Sequence, residues 1–460
     1  VRETAYDPPE AGDDIYLTID AEIQFVVENV MRQVGRGAAS VMDVNTGEIL
    51  ALVSVPSFDP NKFIPSISHK KWNQYNQDPT SPMINRAVSG YAPGSIFKVP
   101  VSFAGVYKDI VNKGQFCAGE ITYGKKDKMK CHRLSGHKHT TMRDALKNSC
   151  NCFYYKYGNE AGINDVVKAV RLFGLGQKTG IKLDGEAAGT LPSPVWLQMN
   201  YPTRKWTEAT TANVSIGQGY VLTSPLQMAN VAATMANGGI CYRPRLIHRV
   251  LRKDREPVLE TKPIVQHNLL ENGITKEDVD LVRKGMWMVV NDGGTGKSAW
   301  MKKMELAGKT GTAQFKTYRD TGEGRKLVKD NHVWFMAFGP FEEPKYAVCV
   351  LVQGGEAGGK VAAPLARRIF DEIYPKPDVS LVALREARGD FDWIYSIEQG
   401  GEKLVREEFV VPSPEDEEVD VTRALDPEDV PIVENEEQRS GEVEAPTLRG
   451  TDGNQQGGNE

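Results

Sequence analysis

No run in this 460-residue chain is apolar for long enough to cross a membrane, and no signal peptide is present. The longest stretch without charge, Ala209–Tyr242, is broken by Asn, Gln, Gly and Pro and cannot lie in lipid. The chain opens on Val1 rather than on methionine, which reads as a fragment whose N-terminal part has been removed. Strong net charge is also missing: the sum is −5, and no nucleic-acid partner is expected. That sum conceals an asymmetry. Residues 412–460 hold 15 acids and 3 bases, leaving 46 acids and 53 bases for residues 1–411. The acidic tail has no apolar period and is expected to be disordered. The mildly basic body suits an anionic substrate or surface. Hydrophobic and charged contents of 40% and 25% are ordinary for a globular protein.

What is present is organised around Tyr91-Ala92-Pro93-Gly94-Ser95-Ile96-Phe97-Lys98. Pro93 and Gly94 break whatever precedes them, and Ser95 to about Lys108 is helix-compatible and largely apolar. Ser95 then falls in a first helical turn, with Lys98 at i+3 on the same face. A serine hydroxyl needs a base within hydrogen-bond reach to become a nucleophile. A lysine serves if burial and neighbouring cations depress its pKa. Unpaired N–H groups at the helix start suit a developing oxyanion.

One S-x-x-K means little, and the chain has three: Ser68–Lys71, Ser95–Lys98 and Ser135–Lys138. Only Ser95 opens an apolar helix, and only Ser95 has fitting company. The chain's one S-x-N, Ser149-Cys150-Asn151, lies 54 residues after Ser95, between two helical stretches. Two K-T-G triplets occur. Lys178-Thr179-Gly180 is a loop-to-strand passage close to the second motif. Lys309-Thr310-Gly311-Thr312 lies in the strand-like run Met304–Phe315, where Gly308 and Gly311 let a substrate backbone approach the strand edge. S-x-x-K, S-x-N and K-T-G in that order form a signature set of serine acyl-enzymes.

The remaining pattern is α+β. Val1–Asp14 reads as a linker. Asp20 caps a helix to about Val34, and Gly37–Val44 and Glu48–Val55 flank an Asn45-Thr46-Gly47 hairpin turn. Further helices are expected at Met142–Lys147 and Cys152–Tyr157. Another runs from a cap at Asn164 to Phe173; two more are the Ser224-capped helix to Gly238 and Lys276–Val290. Lys316–Asn331 reads as a lid loop. His332–Gly339 and Tyr346–Gln353 form a hairpin, and Ala363–Tyr374 a closing helix. The initial hairpin and the last three strands make one antiparallel sheet of about five strands, with a helical subdomain. The expected divisions are a linker (1–14), a catalytic domain (15–378), an extension (379–411) and the tail (412–460).

The three motifs, with Leu17-Thr18-Ile19-Asp20, Asn85-Arg86-Ala87 and Gly217-Gln218-Gly219-Tyr220, resemble the transpeptidase domain of class B penicillin-binding proteins. The closer similarity is to their elongation-specific branch, the penicillin-binding protein 2 group, and it covers residues 1–378. The resemblance implies a β-lactamase/transpeptidase-like fold and a peptidoglycan D,D-transpeptidase that also binds β-lactams. Ser95 would attack the penultimate D-Ala carbonyl of a stem peptide and release terminal D-Ala, with Lys98 taking its proton. Ser149 would relay a proton to the leaving amine, Asn151 would hold Lys98 and the substrate amide, and Lys309 would keep the site electropositive. Thr310 and Thr312 would bind the substrate carboxylate beside Gly311, and the N–H groups of Ser95 and Thr312 would form the oxyanion hole. The chemistry would need no cofactor. Implied partners are a SEDS-type glycan polymerase and elongation-complex membrane proteins, at the periplasmic face of the bacterial cytoplasmic membrane. Two rival readings share the scaffold: a D,D-carboxypeptidase or β-lactamase-type hydrolase, and a penicillin sensor without turnover.

Cys150 inside the second motif departs from the family pattern and opens a metal question. Cys117, Cys131, Cys150 and Cys152 fall within 36 residues, with His132, His137 and His139 nearby. Cys241 and Cys349 lie in apolar surroundings and read as buried thiols. A Cys117–Cys131 disulfide is one reading of the cluster. A structural Zn²⁺ held by Cys117, Cys131, His137 and Cys150 is the other, a Cys₃His shell that the resemblance favours.

Overall fold

The computed structural model describes residues 12–124, 127–253, 255–320 and 325–374. The extension 379–411 and the acidic tail lie outside the described residues, as does most of the expected linker. At the centre stands the antiparallel sheet: β1 (Gly37–Asp43), β2 (Ile49–Val55), β3 (Ala307–Asp320), β4 (Arg325–Gly339) and β5 (Tyr346–Gln353). Its strand order is β3-β4-β5-β1-β2, so the first hairpin and the last three strands do join in one sheet.

Side chains alternate faces along each strand, and both faces here are covered. Val333, Phe335, Ala337, Val348 and Val350 pack with the Ala21–Met31 and Ala362–Ile373 helices. Trp334, Met336, Phe338, Cys349 and Leu351 point the other way, into a larger core built by the helical subdomain. The Pro225–Ala236 helix is buried on every side between sheet and subdomain. Its Ser224–Gln227 capping box formed as its sequence predicts. Asp20 likewise caps the first helix, which ends at Met31, short of Val34.

Several local expectations are corrected. The single helix from Ser95 to Lys108 is three short pieces: a 3₁₀ turn Gly94–Phe97, an α turn Lys98–Val101 and a 3₁₀ turn Ala104–Lys108. Pro100 has no N–H to give the Ile96 carbonyl, which interrupts a continuous ladder. Asn164 lies inside its helix, whose cap is Gly162, and the helix ends at Arg171. The lid-loop segment instead continues the ladder, with β3 and β4 in register out to Asp320 opposite Arg325. Ladder hydrogen bonds come from the backbone, so a polar sequence does not exclude them. Asp14, the last residue of the expected linker, begins a strand, Asp14–Leu17, that pairs with Ile247–Leu251. Gln115–Cys117 pairs with Lys138–Thr140 and Glu120–Tyr123 with Asp127–Lys130, two small two-stranded sheets.

Candidate active site

The Ser95 turn is pressed against the edge strand β3. Gly94 has φ +55, and a Cβ there would sit 2.6 Å from the Thr312 carbonyl oxygen. A Cβ on Gly311 would meet the Pro93 carbonyl at 2.8 Å. Both positions therefore require glycine. Two long-range bonds hold the approach: the Gly94 N–H donates to Gly217 O at 2.9 Å, and the Trp334 indole donates to Ala92 O at 3.0 Å.

The second motif arrives on a turn between the Met142–Lys147 and Asn151–Ala161 helices. Ser149 has φ +52 there, a strained value for a residue with a side chain. Lys98 is fully buried, and among the described residues its ammonium forms no hydrogen bond with Ser95. It donates instead to Asn151 Oδ1 at 2.7 Å, Ser149 O at 2.8 Å and Ser149 Oγ at 3.3 Å. Lys309, also fully buried, reaches the same hydroxyl from β3 at 2.9 Å and donates to Thr310 O at 3.1 Å. Two lysines thus converge on Ser149 Oγ.

Burial disfavours both charges. It pushes Lys98 down to about 8, with the thiol cluster at Cys131 acting in the opposite sense. Lys309 is held well below the usual lysine range by burial first and by the charge of Lys98 second. A neutral Lys98 amine keeps two donors for its two short contacts and frees a lone pair, which is what a proton acceptor requires.

The decoys sort themselves out. Ser68 caps the His69–Gln77 helix by accepting the Lys71 N–H, so that S-x-x-K is a helix start. Ser135 is exposed and accepts from Arg133. In Lys178-Thr179-Gly180 the Thr179 and Gly180 N–H groups cradle the buried Glu186 carboxylate. That triplet is an internal anion nest. Sequence reasoning missed Thr295, whose hydroxyl lies 2.7 Å from that of Thr310, and Gly358, whose N–H donates to Thr312 Oγ1 at 3.3 Å. Thr295 had a signal only as part of the Gly-rich helix stop Asp292-Gly293-Gly294.

Beside the second motif, ligand atoms of Cys117, Cys131, His137 and Cys150 all lie within 4.8 Å of one another. His137 Nδ1 is 3.5 Å from Cys131 Sγ and 3.7 Å from Cys117 Sγ. All six cysteines are free thiols, so the Cys117–Cys131 disulfide is not formed. Hydrogen bonds from the Cys150 and Cys152 thiols pull Cys131 far below the ordinary thiol range, and push those two up. Cys241 and Cys349 are buried, as expected.

The family model of the penicillin-binding protein transpeptidase domain matches residues 37–371. The peptidoglycan D,D-transpeptidase MrdA of Acinetobacter baumannii is 34% identical over 385 residues, covering 81% of this chain and 55% of its own length. The Escherichia coli K12 protein of the same name is 31% identical over 383 residues, covering 81% and 59%. The chain therefore spans little more than half the length of these relatives. Among solved structures, Pseudomonas aeruginosa PBP2 in complex with WCK 5153 superposes with a TM-score of 0.68 at 29% identity, covering 81% of this chain and 79% of that one. Helicobacter pylori PBP2, solved in complex with MreC, gives 0.68 at 29% identity, covering 78% and 64%.

Proposed function

The chain belongs to the penicillin-binding protein transpeptidase family, as a domain of PBP2/MrdA type, and from that premise we propose that it is a serine D,D-transpeptidase cross-linking peptidoglycan stem peptides. The observation that carries the reading is the convergence of Lys98 and Lys309 on Ser149 Oγ, next to the Ser95 turn.

In this reading Lys98, as the neutral amine, takes the Ser95 proton while Ser95 Oγ attacks the penultimate D-Ala carbonyl. The oxyanion meets the N–H of Ser95 and the N–H of Thr312 on β3, which among the described residues is an edge strand of the sheet. Ser149, polarised by Lys309, passes its proton to the leaving D-Ala amine and takes one back from Lys98, which returns to the neutral amine. An amine of a second stem then attacks the acyl-enzyme and restores the Ser95 proton. Asn151 fixes Lys98, and Thr310 and Thr312 face the donor carboxylate. The names of the relatives favour cross-linking over hydrolysis. Among described residues no helix is long and apolar enough to cross a membrane. We place the domain at the periplasmic face of the cytoplasmic membrane, with elongation-complex proteins and a SEDS-type glycan polymerase as partners. The MreC complex of the H. pylori relative supports the first of these.

The thiol cluster fits a Zn²⁺. Tetrahedral bonds of about 2.0–2.3 Å place ligand atoms about 3.5–3.8 Å apart, the range of the two His137–thiol distances. Three buried thiols and one imidazole form a closed Cys₃His shell. The metal would do no chemistry; it would hold Cys150, and so the Ser149 turn between two helices.

Intact mass spectrometry with benzylpenicillin tests the main reading. One ester per chain is expected on Ser95 and none in Ser95→Ala. An adduct that persists in Ser95→Ala, or maps to Ser68 or Ser135, would sink it.

A further inference from the structure

A second set of polar and aromatic groups lies on the rim of this site, and no step above uses it. Gly217, which accepts the Gly94 N–H, begins Gly217-Gln218-Gly219-Tyr220. Gln218 leans on β3, its amide 3.4 Å from the Thr312 carbonyl. Two residues on, the Tyr220 ring packs on Trp196 and Tyr201, with centroids 5.2 Å away in each case. Arg204 closes the group. One guanidinium nitrogen donates to Tyr220 OH at 2.6 Å, and the guanidinium carbon stands 5.3 Å from the Tyr201 ring centre.

Two features separate this group from ordinary packing. The three rings are only half-buried and Arg204 is exposed, in a segment where Met199 is 77% exposed. Arg204 also pairs with no carboxylate among the described residues, although it is pinned by a hydroxyl and a ring. A guanidinium held in place has already lost the rotamer freedom that an exposed ion pair must give up, and it presents a planar fork suited to a carboxylate. The aromatic faces beside it suit the apolar stem of the same ligand.

Position selects the ligand. Gly217 touches the Ser95 turn, and Tyr220 is three residues further, at most about 11 Å of extended chain. That is about three residues of a peptide leading away from the reacting carbonyl. We propose that Trp196, Tyr201, Tyr220 and Arg204 form a subsite for the acidic part of the donor stem peptide, upstream of its D-Ala-D-Ala end. The inference rests on the transpeptidase reading and specifies what that site selects.

The test uses two D-Ala-D-Ala thioester or depsipeptide donors, one extended upstream by a carboxylate-bearing residue and one by its amide. Acyl-enzyme formation is followed by rapid-quench mass spectrometry. The parent protein should prefer the acidic donor by about fivefold at low salt, the worth of one well-placed exposed ion pair. Arg204→Met should collapse the preference to about one, and Arg204→Lys should restore part of it. Raising salt to about 0.5 M should weaken the parent's preference. Equal rates with both donors in the parent, or a preference untouched by Arg204→Met, overturns the subsite and leaves the transpeptidase reading standing. Failure of both donors to acylate the parent overturns both.

Discussion

If Lys98 is the base, acylation must report its titration. Burial places it at about 8. The second-order rate of acylation by a β-lactam should climb about tenfold per pH unit below that value and level off above it, because only the neutral amine accepts the Ser95 proton. Lys309 supplies the sharper test. Ser149 Oγ lies 3.3 Å from the Lys98 nitrogen and 2.9 Å from that of Lys309, so the two nitrogens are at most about 6 Å apart. Unit charges at about 6 Å repel by about 3 kcal/mol at an effective dielectric of about 20, equivalent to about two pKa units. Because burial and the charge of Lys98 hold Lys309 well below the usual lysine range, Lys309 sheds its proton first, and Lys309→Met should move the rising limb up by less than the shift of about two units that a full charge would give. The sign carries over to stability. A lysine whose folded pKa is lowered binds fewer protons when native, so its penalty is complete below about 8 and is relieved as pH rises towards the ordinary lysine value of 10.5. That gain should be missing in Lys98→Met. Stopped-flow labelling with a fluorescent penicillin from pH 6 to 10 reads the profile, with circular dichroism to confirm folding. A profile flat from pH 6 to 9, or a rising limb that survives in folded Lys98→Met, would refute Lys98 as the base.

Three further outcomes are expected. Lys309→Ala should slow acylation by about two orders of magnitude, the usual cost of removing one electrostatic donor, while Lys178→Ala stays within a few-fold; a reversal would mean the wrong K-T-G was chosen. Gly217→Ala should lower stability by about 1–3 kcal/mol in urea titration and slow Ser95 labelling. Gly217 has φ +71, and its new Cβ would lie 2.3 Å from Gly94 O, so wild-type behaviour would contradict the packing of the Ser95 turn. Protein purified without chelator should contain about one zinc per chain, lost with a lowered melting temperature in Cys131→Ser and His137→Ala. Metal-free protein of unchanged stability would argue against the Cys₃His shell.

The sequence by itself determined whatever depends on local order: the three motifs and their spacing, the caps at Asp20 and Ser224, and the five strands of the central sheet. Period and cap chemistry act within a few residues, so they are written in the chain. It also placed Lys98 and Lys309 in the site and named the four zinc candidates. Tertiary structure alone decided where the amines point. The Lys98 amine is held by Ser149 and Asn151, because a buried ammonium needs oxygen acceptors, and these came from another helix pair. The lid loop became a ladder because a backbone partner was available, and Pro100 divided a helix that apolar content had suggested. Thr295 and Arg204 carry no pattern of their own. Their meaning arises from Thr310 and Tyr220, 15 and 16 residues away in the chain, which the fold alone brings within hydrogen-bond reach.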